Sequence, residues 1–250
     1  MHVCSVILKL QKKVIKWPDE EERKMISESI RKTHGFVNCI GLIEGMLFPL
    51  AFASTQNAKD YFTRKGNYAI KGLFICDDAA KITWIEMVRP GSVHNNQVWS
   101  NSDVYLSKNK YFINKEYQLG DSAFSGSSVM VPAFKKGHNS KLSEERKYFN
   151  TKQPKVWIKS EHCIGLLKVR FQHLQGHRRV IRSKHDIDVI LQRTMCMHIA
   201  QHSDQPCHPQ DWMVDSNNSE LDEEEKLDHH SEMGKRCNQI FAKSQIKLKP

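Results

Sequence analysis

Nowhere in the 250 residues is there a run of about 18 apolar residues, so no membrane-spanning helix is expected. The apolar start, Met1 to Leu10, soon meets Lys12, Lys13 and Lys16, and no small-residue cleavage site follows; this excludes a signal peptide. No C-x-x-C pair occurs. The seven cysteines are odd in number and widely spaced, which argues against a disulfide framework and a zinc knuckle. A reducing compartment, nucleus or cytoplasm, is the expectation. No internal repeat is visible.

What is present is an ordinary apolar fraction of 39% and a charged fraction of 26%, enough for a folded core. The net charge of +10 is unevenly spread. Residues 203–250 hold ten acidic and six basic residues, leaving 32 basic and 18 acidic in the rest. A basic body is the footprint of a polyanionic partner, most often nucleic acid; it is also compatible with a basic protein that has no such partner.

Residues 1–34 read as a helical lead-in. Val3, Ile7, Leu10 and Val14 recur at near-helical spacing, and Pro18 with Asp19, Glu20 and Glu21 starts a second helix whose acidic first turn suits the helix dipole. From Gly35 the texture changes to short apolar runs. Strands are expected over 36–43, 68–76, 81–88, 117–120 and 129–134. Asp77–Ala80 turns the second strand back on the third as a hairpin. A helix with Ser92 as N-cap is expected over 92–112. After Gly137 the pattern is helical to about Ala200, broken near Gly176 and capped again near Ser183. Residues 203–250 read as an acidic tail without packed structure. The order of elements suits an α/β fold with one mixed sheet flanked by helices.

Three acids stand out by setting. Glu44 is expected just after the first strand, Asp121 at the end of the short fourth strand, and Glu161 inside the long helical region. Acids at strand ends reach the crevice where ligands bind in open α/β sheets. Three converging carboxylates are a natural site for Mg²⁺ or Mn²⁺, and two such ions about 4 Å apart can clamp both the attacking and the leaving oxygen of a phosphodiester. Taken singly, strand-end acids are common and a helical Glu is usually a solvated face. Other candidates have equally plain readings: Arg64–Lys65–Gly66 as a phosphate contact or a surface turn, His94 as a group beside the site or a capping or core histidine. The basic run His177, Arg178, Arg179, Arg182, Lys184, His185 reads as a salt-sensitive phosphate contact or a solvated face.

The words around these acids carry more. CIGLIEGMLFPL resembles the G-x-I-D-G-T-x-x-P segment of PIF/Harbinger transposases, and YFTRKGNYAIKGLFICD is similar to their Y-x-N-R-K-G-x-Y-S-I-N-x-Q-x-x-C-D. PGSVHNNQVWSNS, LGDSAF and SEHCIGLLKVRFQHL resemble the three words that follow in that family, in the same order, and KWPDEEER resembles its lead-in. The resemblance runs from about Trp17 to about Met197. It implies an RNase H-like domain, placed at 35–202, with a catalytic and metal-holding triad of Glu44, Asp121 and Glu161. It also implies Mg²⁺ or Mn²⁺ as cofactor, DNA as substrate and a nuclear location. The implied reaction is phosphodiester hydrolysis followed by strand transfer. Glu44 stands where the pattern has Asp, Met46 where it has Thr or Ser, and Asn95 where Asp commonly follows the histidine; Phe124 replaces a common Tyr. Only about 34 residues precede the domain, so the family's N-terminal DNA-binding segment is expected to be missing. A divergent or decayed copy is therefore expected, with site selection left to a separate DNA-binding partner protein. The alternative expectation is a catalytically inactive, transposase-derived DNA- or protein-binding protein.

Overall fold

The computed structural model describes residues 15–136, 142–178, 180–183, 185–186 and 189–190. The helical stripe from Val3 to Val14, the helix expected between 191 and 200, and the acidic tail 203–250 lie outside the described residues.

Helix α1 spans Glu20–His34. Asp19 and Glu22 cap it reciprocally: the Asp19 carboxylate accepts from the Glu22 amide and the Glu22 carboxylate from the Asp19 amide, both at 2.9 Å. Gly35 ends it in the left-handed region at φ 84°, donating to the Arg31 carbonyl. Ile30, on its inner face, is fully buried.

Five strands follow, β1 Cys39–Pro49, β2 Ala69–Cys76, β3 Ile82–Pro90, β4 Tyr117–Gly120 and β5 Met130–Pro132. They form one sheet in the order β3-β2-β1-β4-β5. β1–β2 and β2–β3 are antiparallel, β1–β4 and β4–β5 parallel, so the sheet is mixed. All five expected strands occur, and the expected hairpin is the β2–β3 pair. The first differs in extent. β1 runs six residues past Ile43 because β2 continues to pair with it, from Leu42↔Cys76 to Pro49↔Ala69. Glu44 is therefore inside the strand, not just after it.

The pleat sends alternate residues to opposite layers. Leu42, Met46, Phe48, Ile70, Phe74 and Leu119 face α1 and the long helix α6, Glu144–Arg170, whose Phe149, Val156, Cys163 and Leu167 complete that core. Ile43, Leu73, Ile75 and Met130 face the opposite layer, built from α3 Asn95–Ser100, α4 Asp103–Leu106 and α5 Lys108–Tyr111. A short α2, Ala58–Tyr61, precedes β2. The expected single helix over 92–112 is thus three short ones. Ser102 restarts the chain, its hydroxyl accepting from the Tyr105 amide. The first of the three begins after His94, because the Ser92 hydroxyl is used on the Asp60 carbonyl instead.

The helical region after residue 141 does break near Gly176. A 3₁₀ turn at Gln172–Gln175 ends it, and the backbone of His177 then pairs with the end of β1: its amide donates to the Pro49 carbonyl and its carbonyl accepts from the Ala51 amide. This corrects one reading of the basic run. His177 is fully buried, while Arg178, Arg182 and His185 are exposed. Beyond it Asp186 accepts from the Ser183 hydroxyl and the Arg182 amide. The architecture is a mixed α/β sheet with helices on both faces, consistent with an RNase H-like fold.

Candidate active site

The first two acids meet through strand register. β1 and β4 run parallel with Leu42 opposite Leu119, both on the layer facing α6. Continuing that register by two residues sets Glu44 beside Asp121, and the two-residue period keeps both on the same face. Neither acid is near the other in sequence; the parallel pairing alone brings them together.

The third acid is placed by α6. Its Trp157 indole donates to the carbonyl of Ile43 at 3.3 Å, and its Gln153 side-chain amide donates to the carbonyl of Gly120 at 2.5 Å. Those two carbonyls belong to the residues immediately before Glu44 and Asp121. The helix is thus pinned across the two strands at the points where the acids emerge. Glu161 lies one turn beyond Trp157, and Lys168 two turns beyond Glu161, on one stripe of the helix. Glu161 is exposed, Lys168 half-buried.

Glu44 accepts from the Gly45 amide through Oε1 at 3.0 Å, while its Oε2 is buried without a hydrogen-bond partner. Burial, and then the charge of Asp121, push its carboxyl well above the usual range; Glu161 pushes the same way, and Lys168 opposes. Asp121 is raised by burial, against the Ala123 amide that its Oδ1 accepts at 2.9 Å and the charges of Lys135 and Lys71. Burial lowers both nearby lysines. Lys65 lowers Lys168 further while Glu44 raises it; Arg64 lowers Lys71 further while Asp121 raises it.

Two desolvated carboxylates that repel one another, one with an orphaned oxygen, fit a hard divalent cation, which takes oxygen ligands and relieves both penalties. Glu44 and Asp121 supply that fit. Glu161 is within electrostatic reach of Glu44, but among the described residues no three His, Cys, Asp or Glu side chains stand close enough to hold a metal ion together.

A side chain at position 45 would have to displace Asn95. The side-chain amide of Asn95, at the start of α3, lies where a Cβ would be, 2.3 Å from Nδ2. Asn95 therefore covers the opposite side of β1 from Glu44. His94 is neither a core residue nor a side-chain cap: it is exposed, makes no capping bond, and its Nε2 lies 3.0 Å from Nη2 of Arg64.

Four groups escape a reading of sequence alone. Gln153 and Trp157 are polar groups on the buried side of α6, and their role appears only when the carbonyls they grip are known. Lys168 and Lys71 each had a signal: Lys168 falls two turns after Glu161, and Lys71 interrupts an otherwise apolar strand.

The buried Glu44 has a consequence for stability. Its folded pKa is raised, so its contribution to stability is complete below the unfolded carboxylate pKa of about 4.3 and is lost as pH rises towards the folded value. Glu44→Gln removes that loss. In chelator, the variant should melt above the native chain at pH 7 and not at pH 4, with each kcal/mol worth about 2–4 °C. In Mg²⁺ the order should narrow or reverse, since the native chain gains a ligand. Parallel pH dependences for the two proteins in chelator would refute a Glu44 carboxyl raised by burial.

The family model for DDE superfamily endonucleases matches residues 43–199, starting one residue before Glu44 and containing Asp121 and Glu161. No curated protein and no solved structure matches the chain. The match covers more than half of the residues and coincides with the sheet and helix that position the three acids. The chain belongs to the DDE superfamily endonucleases.

Proposed function

We propose that this chain is the DNA-cleaving catalytic domain of a PIF/Harbinger-type transposase, dependent on Mg²⁺ or Mn²⁺ and acting in the nucleus. One observation carries the reading: α6 is pinned to the carbonyls immediately before Glu44 and Asp121, which supports Glu161, one turn beyond Trp157, as the third acid. A bound divalent cation supplies charge neutralisation at the scissile phosphate and activation of the attacking oxygen. Glu44, through its unpartnered Oε2, and Asp121 would hold the cation, with Glu161 as the third carboxylate from the helix. The charges of Glu44 and Lys65 both act on Lys168, and those of Asp121 and Arg64 both act on Lys71. The fixed backbone at Ile43 and Gly120 keeps the acids in register, and such positioning is most of what phosphoryl transfer asks of a protein.

A second reading is favoured by two observations. Glu161 is exposed and stands apart from the pair, and Glu44 carries one methylene more than the Asp of the pattern it resembles. On this reading the chain holds DNA, or a partner protein, without cutting. Conversion of supercoiled plasmid to nicked circles in Mg²⁺ or Mn²⁺, with chelator as control, separates the two. The native chain is expected to nick, and Glu44→Asp to nick faster, by up to about a hundredfold if the extra methylene displaces the reacting atoms by about 1 Å. No nicking by either protein in either metal, with DNA still bound, would leave the non-catalytic reading standing.

A further inference from the structure

We propose that the turn at Thr63–Asn67 is a phosphate grip, which holds the DNA backbone beside the Glu44–Asp121 pair through Arg64 and Lys65. The inference deepens the proposed function and rests on it for the identity of the ligand. Sequence alone left this Arg-Lys-Gly word open between a phosphate contact and a surface turn.

The turn is built to be rigid. Its ends pair as an isolated bridge between Phe62 and Tyr68. Thr63 is buried, donates its amide to the Asn67 carbonyl at 2.8 Å, and accepts from the Lys65 amide through its hydroxyl at 3.2 Å. Gly66 takes the left-handed conformation at φ 74° and donates to the Thr63 carbonyl at 3.0 Å. At the tip, Arg64 and Lys65 are both exposed.

The turn is also fastened next to the site. Ser92 bonds the Asp60 carbonyl through its hydroxyl at 2.7 Å, Gly91 packs so tightly that a Cβ would come within 2.8 Å of the Thr63 methyl, and Arg64 reaches His94. The next residue, Asn95, lies directly over Gly45, the neighbour of Glu44. From the other side Lys71, half-buried, donates to the Val93 carbonyl. Short links therefore tie the basic tip to the segment that covers β1 at Gly45, next in sequence to Glu44 and on the opposite face of the strand.

The charges at the tip are uncompensated. Among the described residues neither Arg64 nor Lys65 is in an ion pair, although the chain pairs arginines and lysines with carboxylates on α1, β3 and α6. The charges of Arg64 and Asp121 both act on Lys71, and those of Lys65 and Glu44 both act on Lys168. An exposed, unpaired Arg–Lys tip suits a polyanion whose scissile phosphate sits on the acids and whose neighbouring phosphates meet the tip. Arginine favours bidentate phosphate contact and lysine a point-charge contact.

The test measures binding of a short DNA duplex by fluorescence anisotropy in chelator, over a range of salt, so that cleavage plays no part. Arg64→Gln combined with Lys65→Gln should weaken binding roughly tenfold or more near 0.1 M salt. It should also make the log–log salt dependence shallower by about one to two, the change expected for two lost phosphate contacts. Lys108→Gln combined with Lys110→Gln removes the same charge from α5 and is expected to leave the slope nearly unchanged. Equal losses in the two double variants, an unchanged slope in the first, or no DNA binding by the native chain would each overturn the grip. A native chain that binds through the turn but nicks nothing would refute the proposed catalysis and keep the grip. A native chain that nicks, with the turn variant binding and nicking normally, would do the reverse.

Discussion

Asp121→Asn is expected to lower plasmid nicking by at least about a hundredfold and to weaken divalent-metal binding in the same preparation. The substitution keeps volume and can still accept the Ala123 amide, so the turn after β4 should survive. What it removes is one of the two carboxyl groups that the register sets side by side on the sheet. The cation then loses an anionic ligand at the centre of the site, and even changes in groups that merely support ligands typically cost about 10–100-fold in metal affinity or activity. Displacement of reacting atoms by about 1 Å costs a similar factor in rate. The variant also relieves Glu44, because the charge of Asp121 helps to raise the Glu44 carboxyl. Asp121→Asn should therefore be no less stable than the native chain in chelator, and less stabilised by Mg²⁺. Calorimetric titration with Mg²⁺ or Mn²⁺ gives the metal affinity, and gels give the nicking rate. Unchanged metal affinity would remove Asp121 from the metal site. Unchanged nicking would remove it from the chemistry.

Glu116→Ala should cost about 3–5 kcal/mol, the penalty for stranding a buried charge, and lower the melting midpoint by roughly 10 °C. Arg23 on α1 is buried, and its Nε donates to both Glu116 carboxylate oxygens, at 2.9 and 3.1 Å, just before β4. Its Nη1 donates to the Pro18 carbonyl, and its Nη2 is buried without a partner. Removing Glu116 leaves the guanidinium enclosed with a single backbone acceptor. It also frees the Ile113 amide, which Glu116 accepts at 2.8 Å. Replacing the pair together, Arg23→Leu with Glu116→Leu, should recover most of the loss, since apolar substitutes of similar volume often match a buried ion pair. If the single variant melts within about 2 °C of the native chain, the pair is solvated in solution and does not anchor α1 to the sheet. Nicking, measured well below the midpoint, should be unaffected, because neither residue faces the acids.

Much of this protein was legible before its structure was known. The apolar runs marked all five strands, since a buried strand must be apolar along most of its length. Pro18 with the acidic first turn from Asp19 marked the start of α1, and the change of texture at Gly35 marked its end, since both signals are local chemistry. The acids Glu44, Asp121 and Glu161 were legible as candidates from the words in which they stand. Three errors share one cause. β1 was expected to stop at Ile43 because Glu44 and Gly45 look like a strand's end; the antiparallel partner β2 carries it on to Pro49. Ser92 looked like a helix cap, but its hydroxyl is taken by Asp60 from a distant loop. His177 looked like part of a basic surface, but its backbone closes onto the end of β1 and its ring is buried. In each case a long-range hydrogen bond outweighed a local preference of comparable size.

The sequence by itself determined the element types, the mixed α/β class and the basic body, because these depend on composition and on periodicities of a few residues; the three acids were named by the family words around them. Only the tertiary structure decided that Glu44 and Asp121 share one face and that Trp157 and Gln153 fasten α6 to the residues before them. Those relations depend on the parallel pairing of β1 with β4, two strands separated by about 70 residues of intervening chain. Strand register is set by how whole faces bury against α6 and against α3–α5, and no short stretch of sequence contains that information.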